Sequence, residues 1–444
     1  MSSASETIVA TATPPGRGGI GVVRISGGGA RAIAKALCGI APEPRRAQLT
    51  AFAGTDGTAI DRGLALFFAA PHSFTGEDVL ELHAHGSPVV LDALVRRACE
   101  LGARTARAGE FSERAFLNGK LDLSQAEAVA DLIAARSEAQ ARAALRSLDG
   151  EFSRRADALA NLIVRLRVEI EAAIDFSDDA AESASKPVIE RLFEEATHGL
   201  QALLDAARRS ARLTDGMHAV IVGEPNVGKS SLLNALAGND RAIVTDIPGT
   251  TRDVLRESIV LDGVDFTLAD TAGLRESADV VEGEGIRRAR AELARADLVL
   301  RVVEGAITTA DLFDGTPPAA KRIVIVNKID LEGVPPSRNE RDGTIFIALS
   351  ARTGAGLDLL RATLREAALG GERGGEFSAR TRHVLALERA DASLQRAQAA
   401  LATATPELVA EELLAAQHAL GEIVGTFTSE NLLGAIFSTF CIGK

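Results

Sequence analysis

Eight residues, Gly223-Glu224-Pro225-Asn226-Val227-Gly228-Lys229-Ser230, carry the spacing Gly-x-x-x-x-Gly-Lys-Ser. Glycines let successive backbone N–H groups curl around phosphate oxygens, and a helix starting at the same point aims its positive end at the anion. A lysine at this position reaches the outer phosphates, and the Ser230 hydroxyl is a ligand for Mg²⁺. The expected phosphate contacts are therefore Asn226, Val227, Gly228, Lys229, Ser230 and Ser231. Such a loop needs a strand before it and a helix after it. The apolar run Ala219 to Val222 and the segment Ser231 to Leu236 supply them.

Further short motifs in the same stretch each add a chemical requirement. Asp270-Thr271-Ala272-Gly273 ends an apolar run, which suits Asp270 to hold a metal-bound water and the Gly273 N–H to meet a terminal phosphate. Asn327-Lys328-Ile329-Asp330 also ends one. A carboxylate there accepts from both N1–H and the exocyclic amine of guanine, whereas adenine lacks that donor pair, so Asp330 argues for GTP over ATP. Ser350-Ala351 follows the last apolar run and suits backbone contact with the base. Upstream, Thr245-Asp246-Ile247-Pro248-Gly249-Thr250-Thr251 offers a threonine hydroxyl for Mg²⁺, Thr251 being the better placed. Leu274 stands where Ras-like enzymes carry a water-orienting glutamine, so another group must do that work; Arg275, Glu276, Glu282 and Glu284 lie just downstream. The amide of Asn226, with carbonyls of the 245–250 segment, makes a hard-oxygen set suited to a monovalent cation.

The elements that position these residues span 444 residues, a length that suggests about three domains, and the 46% hydrophobic content supplies their cores. A net charge of −12 argues against a generally basic nucleic-acid coat while leaving room for a local patch. Trp and Tyr are absent, which weakens a single-strand-stacking function. Cys38, Cys99 and Cys441 are too scattered for a disulfide framework or a four-ligand zinc site. With neither a signal-peptide pattern nor an apolar run of ~18 residues, a cytoplasmic, membrane-free protein is expected.

In chain order, residues 1–120 read as an α+β domain, with strands at Thr7–Thr11, Gly21–Ile25, Gly63–Phe68 and Val79–His83 and a helix over Ser87–Leu101. Period-two alternation puts Glu81, His83 and His85 on one strand face, either a metal-binding His-x-His pair or a polar strand end. Residues 121–214 read as the first half of a helical bundle, with Leu159, Ile163, Leu166, Ile170 and Ile174 at helical spacing and a solvated loop at Asp175–Asp179. Residues 215–372 alternate strands and helices as a Ras-like P-loop domain, a mostly parallel sheet with helices on both faces. Asp262-Gly263 signals a hairpin there. Residues 373–444 return to helical composition, so the α/β domain is expected as an insertion between two helical halves, with Thr214–Gly216 and Gly370–Gly375 as hinges.

This order of parts resembles the MnmE (also TrmE) family of bacterial tRNA-modification GTPases. The resemblance rests on Thr7-Ile8-Val9-Ala10, on Pro14-Pro15-Gly16-Arg17-Gly18-Gly19-Ile20-Gly21, on the GTPase domain inserted among helices, and on the closing Cys441-Ile442-Gly443-Lys444, and it spans essentially the whole chain. It implies a homodimer that works on tRNA in a heterotetramer with a flavin-dependent MnmG-like partner, adding a carboxymethylaminomethyl-type group to carbon 5 of the wobble uridine. It implies 5-formyl- or methylene-tetrahydrofolate as one-carbon donor, with folate contacts at Arg24, Glu81, Lys120 and Lys444. It also implies K⁺ held by Asn226, Thr245, Ile247 and Thr250, and Glu282 as the water-positioning carboxylate. Cys441 stays open between a nucleophile towards the uridine ring and a redox or packing residue. Gly443 and a terminal Lys444 fit a prenylation box poorly. The competing reading is a ribosome-assembly GTPase that binds RNA, which shares the nucleotide motifs but calls for an RNA module, such as a Gly-x-x-Gly clamp or a basic stripe, that is not found. A folate-dependent transferase acting alone lacks an acid/base constellation in residues 1–120.

Overall fold

The computed structural model describes residues 6–39, 43–175, 179–237, 256–261, 264–270, 291–305, 320–369, 376–402, 406–426, 430–441 and 443. The chain forms two compact units: Met1–Ala130 with Leu148–Val168 and Ala410–Lys444, and Asp131–Ser147 with Glu169–Val409.

The first unit is built on a sheet of β1 (Ile8–Thr11), β2 (Gly18–Ser26), β3 (Gln48–Ala53), β4 (Ala59–Phe68), β5 (Val79–Gly86) and β6 (Arg104–Thr105), in spatial order β3-β4-β5-β2-β1-β6. All neighbours are antiparallel except β1 and β6. Alternation sorts the side chains. Val23, Ile25, Ala65, Phe67, Leu80 and Leu82 point inward with residues of the helices Ala30–Cys38 and Pro88–Glu100, forming one core. Apart from the small Ala65, each of these side chains contributes about 1.5–3 kcal/mol on burial, and a one-residue slip would turn the whole set outward. That constraint fixes Arg24 opposite Glu81 and Val22 opposite His83 on the sheet's other face.

Below this sheet a chain of charges ties the strands to the Pro71–Asp78 loop. Ser26 Oγ donates to Glu77 Oε2 at 2.7 Å, Arg114 Nη1 reaches the same oxygen at 3.0 Å, and Arg114 Nη2 donates to Glu110 Oε1 at 3.1 Å. Glu110 also receives both Arg104 Nη atoms at 2.8 and 2.6 Å and the Arg107 backbone N–H at 2.9 Å. It is only 2% exposed. Burial alone would raise its pKa, but these donors outweigh it and hold the carboxyl at about 2.

The C-terminal helix Glu430–Ser438 packs Ile436, Phe437 and the following Phe440 against Leu123 and Ala126. The tail then runs to the sheet. The Cys441 carbonyl accepts from the Gly109 N–H at 3.4 Å, and Gly443, at φ +97°, lies so close to the Thr11 carbonyl that a side chain would not fit.

The second unit holds a seven-stranded sheet of β7 (Met217–Val222), β8 (Arg256–Leu261), β9 (Val264–Asp270), β10 (Leu298–Glu304), β11 (Lys321–Asn327), β12 (Ser337–Arg341) and β13 (Thr344–Ala348), ordered β12-β13-β11-β10-β7-β9-β8. Pairing is parallel from β13 through β9 and antiparallel at both edges. The inner strands read as near-continuous apolar runs because both faces are covered. Ala219, Ile221, Leu298, Leu300, Val302, Ile323 and Ile325 share a core with Leu232, Leu233 and Leu236 of the helix Lys229–Ala237 and Leu360 and Leu364 of the helix Leu357–Leu369, while Val220 and Val299 pack on the opposite face with Ala296 and Ala320. β8 and β9 form the expected hairpin; its turn, Asp262-Gly263, lies outside the described residues. The helices Asp179–Thr214 and Thr381–Ala402 pair within this unit, with Gln201 Nε2 donating to Asp391 Oδ1 at 2.8 Å.

Because the folded Glu110 carboxyl titrates below its ordinary value of 4.5, it contributes stability that is present above that pH and lost as pH falls towards about 2. Glu110→Gln is expected to lower stability at pH 7 by about 2–3 kcal/mol, and urea unfolding at pH 7 and pH 3 should show the gap to the unsubstituted protein narrowing at the lower pH. An equal gap at both pH values would remove Glu110 from that role.

Candidate functional site

β7 is where the strand order reverses, with β9 on one side and β10 on the other, and the crevice beyond the carboxyl ends of strands at such a point is where α/β sheets bind ligands. The phosphate loop leaves β7 at this point. Gly223 passes hard against the Val302 carbonyl, leaving no room for a side chain. Asn226 takes a left-handed conformation, φ +66°, and Gly228 another at φ +97°. The helix Lys229–Ala237 starts immediately, with the Leu232 N–H donating to the Gly228 carbonyl at 2.9 Å. Lys229 is buried, its Nζ donating to the Gly223 and Glu224 carbonyls at 3.0 and 2.7 Å, so the ammonium is held across the mouth of its own loop. Asn226, Ser230 and Ser231 are exposed at the rim, where a phosphate or cation can reach them.

Asn327 ends β11 with its side chain turned into the protein. Its Nδ2 donates to the Val227 carbonyl at 2.8 Å, and its Oδ1 accepts from the Ala351 N–H at 2.9 Å. One buried amide thus joins the phosphate loop to the loop after β13. An alanine at Gly228 would push its Cβ into that amide. Asp330, exposed on the short helix Ile329–Glu332, accepts from Ser350 Oγ at 2.6 Å, which fixes the plane of its carboxylate. Sequence reasoning assigns the Ser350 and Ala351 N–H groups to the base. In the structure the Ser350 N–H donates to the Ala355 carbonyl at 2.9 Å and the Ala351 N–H to Asn327, while the Ser350 hydroxyl is the group that meets Asp330. Lys328 ion-pairs with Glu304 at 2.5 Å, a partner that sequence reasoning missed; Glu304 ends a strand that also carries Arg301, and no local pattern marks it.

Asp270 is the last residue of β9. Thr245, Asp246, Ile247, Pro248, Gly249, Thr250, Thr251, Thr271, Ala272, Gly273, Leu274 and Glu282 lie outside the described residues, as does Lys444.

A second cluster occupies the sheet of the first unit. Arg24 Nε donates to Glu81 Oε1 at 2.9 Å, its Nη1 reaches the Gly443 carbonyl at 3.4 Å, and its guanidinium stands 5.7 Å from the ring centroid of Phe74, which is 37% exposed. Lys120 Nζ donates to the Pro71 carbonyl at 3.1 Å, on the loop that carries Phe74. A fixed cation, a fixed carboxylate and an accessible ring therefore meet where the C-terminal tail docks. The His-x-His pair is divided between different carboxylates, His83 lying 3.5 Å from Glu81 and His85 2.9 Å from Asp61, and no metal-binding cluster of His, Cys, Asp and Glu occurs among the described residues. This is the polar strand end. Cys38 is buried, which pushes its thiol up to about 12, whereas Cys441 is exposed; all three cysteines are free.

Fold and site together define a P-loop GTPase that carries a separate α+β domain. Family models of the GTP-binding protein TrmE N-terminus and the MnmE helical domain match residues 7–120 and 123–441. Curated relatives described as tRNA modification GTPase MnmE include those of Methylococcus capsulatus, 54% identical over 99% of this chain and 99% of its own, and of Azoarcus sp., 54% identical over 99% and 98%. The solved G domain of the T. maritima FeoB iron transporter is 27% identical over 34% of this chain and 98% of its own, with a TM-score of 0.27. The chain belongs to the MnmE family of tRNA modification GTPases, and it hydrolyses GTP in tRNA modification. That membership sets aside the ribosome-assembly reading. No helix among the described residues is long and apolar enough to cross a membrane.

Asn327→Ala orphans the buried Val227 carbonyl and Ala351 N–H, each at about 1–3 kcal/mol. At least a tenfold loss of GDP affinity is expected, together with a lower melting temperature, and Gly228→Ala should behave alike; calorimetric titration and thermal melts check both.

Proposed function

We propose that GTP hydrolysis by this chain is coupled to addition of a carboxymethylaminomethyl-type group to carbon 5 of the tRNA wobble uridine, in the cytoplasm, with an MnmG-like FAD protein as partner and a tetrahydrofolate, 5-formyl or methylene, as one-carbon donor. The observation that carries the folate part is the Arg24–Glu81 pair facing Phe74, with the C-terminal tail at hand. The chemistry suits it: guanidinium and ammonium groups at Arg24, Lys120 and Lys444 match the carboxylates of a folate tail, a carboxylate such as Glu81 matches an amino-pyrimidine edge, and an accessible ring can stack on a planar heterocycle. Bound folate supplies the one-carbon unit; the residues of this chain bind and orient it. Cys441, exposed beside this cluster, is the nucleophile candidate for the uridine ring.

At the other site, Ser230 and Thr251 are the Mg²⁺ ligands of this reading, Asp270 holds a metal-bound water, and Gly273 meets the terminal phosphate. The exposed amide of Asn226, with Thr245, Ile247 and Thr250, supplies hard oxygens for K⁺, whose charge at the phosphoryl group would do the work of an arginine finger. Glu282 positions the attacking water in place of a glutamine, and two such domains meet in a homodimer that forms a heterotetramer with the flavoprotein.

GTP turnover should be several-fold faster in KCl than in NaCl at equal ionic strength, and equal rates would remove the K⁺ assignment. Incubating the protein with the flavoprotein, a tetrahydrofolate donor, GTP and unmodified tRNA should yield a mass increase at the wobble uridine that is lost in Arg24→Ala. An unaltered uridine with the complete mixture would overturn the coupling.

A further inference from the structure

We infer that Glu304 is a positioning residue for the guanine base, acting through Lys328; the inference rests on the reading of Asp330 as the carboxylate that selects guanine. Three observations converge on it. Lys328 is held at φ +67°, a left-handed conformation that is strained for a residue with a side chain and that persists only where the surroundings enforce it. It stands between Asn327, whose amide is locked to Val227 and Ala351, and the short helix that presents Asp330. Glu304 ends β10 directly across the ladder from Asn327, and its Oε2 meets Lys328 Nζ at 2.5 Å. Gly305 follows at φ +75°, in the left-handed region that ends the strand at Glu304.

The side chains of Lys328 and Glu304 are 31% and 46% exposed, and a pair so wetted adds little to folding. Stability therefore does not explain a strained backbone spent on presenting it. What the pair does is fix the direction of a four-carbon stem. A lysine stem is an apolar strip that can cover one face of a planar ring while its ammonium stays wet. Left free, it must be ordered when the base arrives, at a cost in side-chain entropy; anchored by Glu304, it is ordered beforehand. Asp330 reads the edge of the guanine, and the Lys328 stem, held by Glu304, covers its face.

The test uses the full-length protein, a fluorescent GDP analogue and steady-state GTP turnover. Glu304→Gln should weaken GDP binding about three- to fivefold and raise KM to the same extent with kcat unchanged, and Glu304→Asp should recover most of the loss. In a Lys328→Met background, Glu304→Gln should change nothing further. Unaltered GDP affinity in Glu304→Gln, or an equal loss in the Lys328→Met background, would overturn the inference. Asp330→Ala separates this from its premise: if GDP binding survives that change, the reading of the base site fails; if Asp330→Ala abolishes binding while Glu304→Gln is silent, only the role of Glu304 fails.

Discussion

The nucleotide site depends on one buried side chain. Asn327 gives its two amide hydrogen bonds to two different loops, the Val227 carbonyl of the phosphate loop and the Ala351 N–H beyond β13. The phosphate loop and the loops after β11 and β13 come from separate strand ends, and without a bridge their spacing would be set only by the sheet beneath them. The bridge is possible because Gly228 has no Cβ, and it is kept strong because the amide is buried and cannot exchange its partners for water. Ser350 extends the same frame to Asp330. The phosphate loop, the loop after β13 and Asp330 are thereby held in one hydrogen-bonded frame.

Charge is handled differently at the two sites. At the phosphate loop a buried ammonium, Lys229, is satisfied by two backbone carbonyls, which a phosphate can replace without leaving the lysine unpaired at any stage. On the other sheet, Arg24 is held by a carboxylate, a carbonyl of the tail and an adjacent ring, while Glu110, Arg104, Arg114 and Glu77 fix the ground beneath it. Of the buried charges, Glu110, Arg114 and Lys229 are each multiply bonded, the condition under which buried charge costs least.

Much of this was legible in the residues themselves. The strands β7, β11 and β13 stand out because apolar runs at both-face burial look alike wherever they occur, and the phosphate loop, Asn327 and Asp330 follow from motif spacing. β12 was not legible: Ser-Arg-Asn-Glu-Arg is a polar edge strand, paired through backbone alone, and charge on an edge protects it from further pairing. β3, Gln-Leu-Thr-Ala-Phe-Ala, buries little besides Phe52 and shows weak alternation. At the site, sequence could place Asn327 near the base but not show that its amide is used internally, nor that the Ala351 N–H is thereby taken. Period two put His83 and His85 on one face; only the fold shows Asp61 arriving beside His85 and Glu81 beside His83. Glu304 was hidden because an ion pair across a parallel ladder joins residues 24 apart with no local signature.

The central claim, that an Asn327-locked frame presents Asp330 to a guanine edge, is tested most directly by exchanging the edge and the carboxylate together. Titration of the protein with GDP, ADP and xanthosine diphosphate should show binding of GDP alone, and Asp330→Asn should transfer the preference to xanthosine diphosphate, whose ring carries an acceptor where guanine carries its amine. Retention of GDP preference by Asp330→Asn would contradict the account.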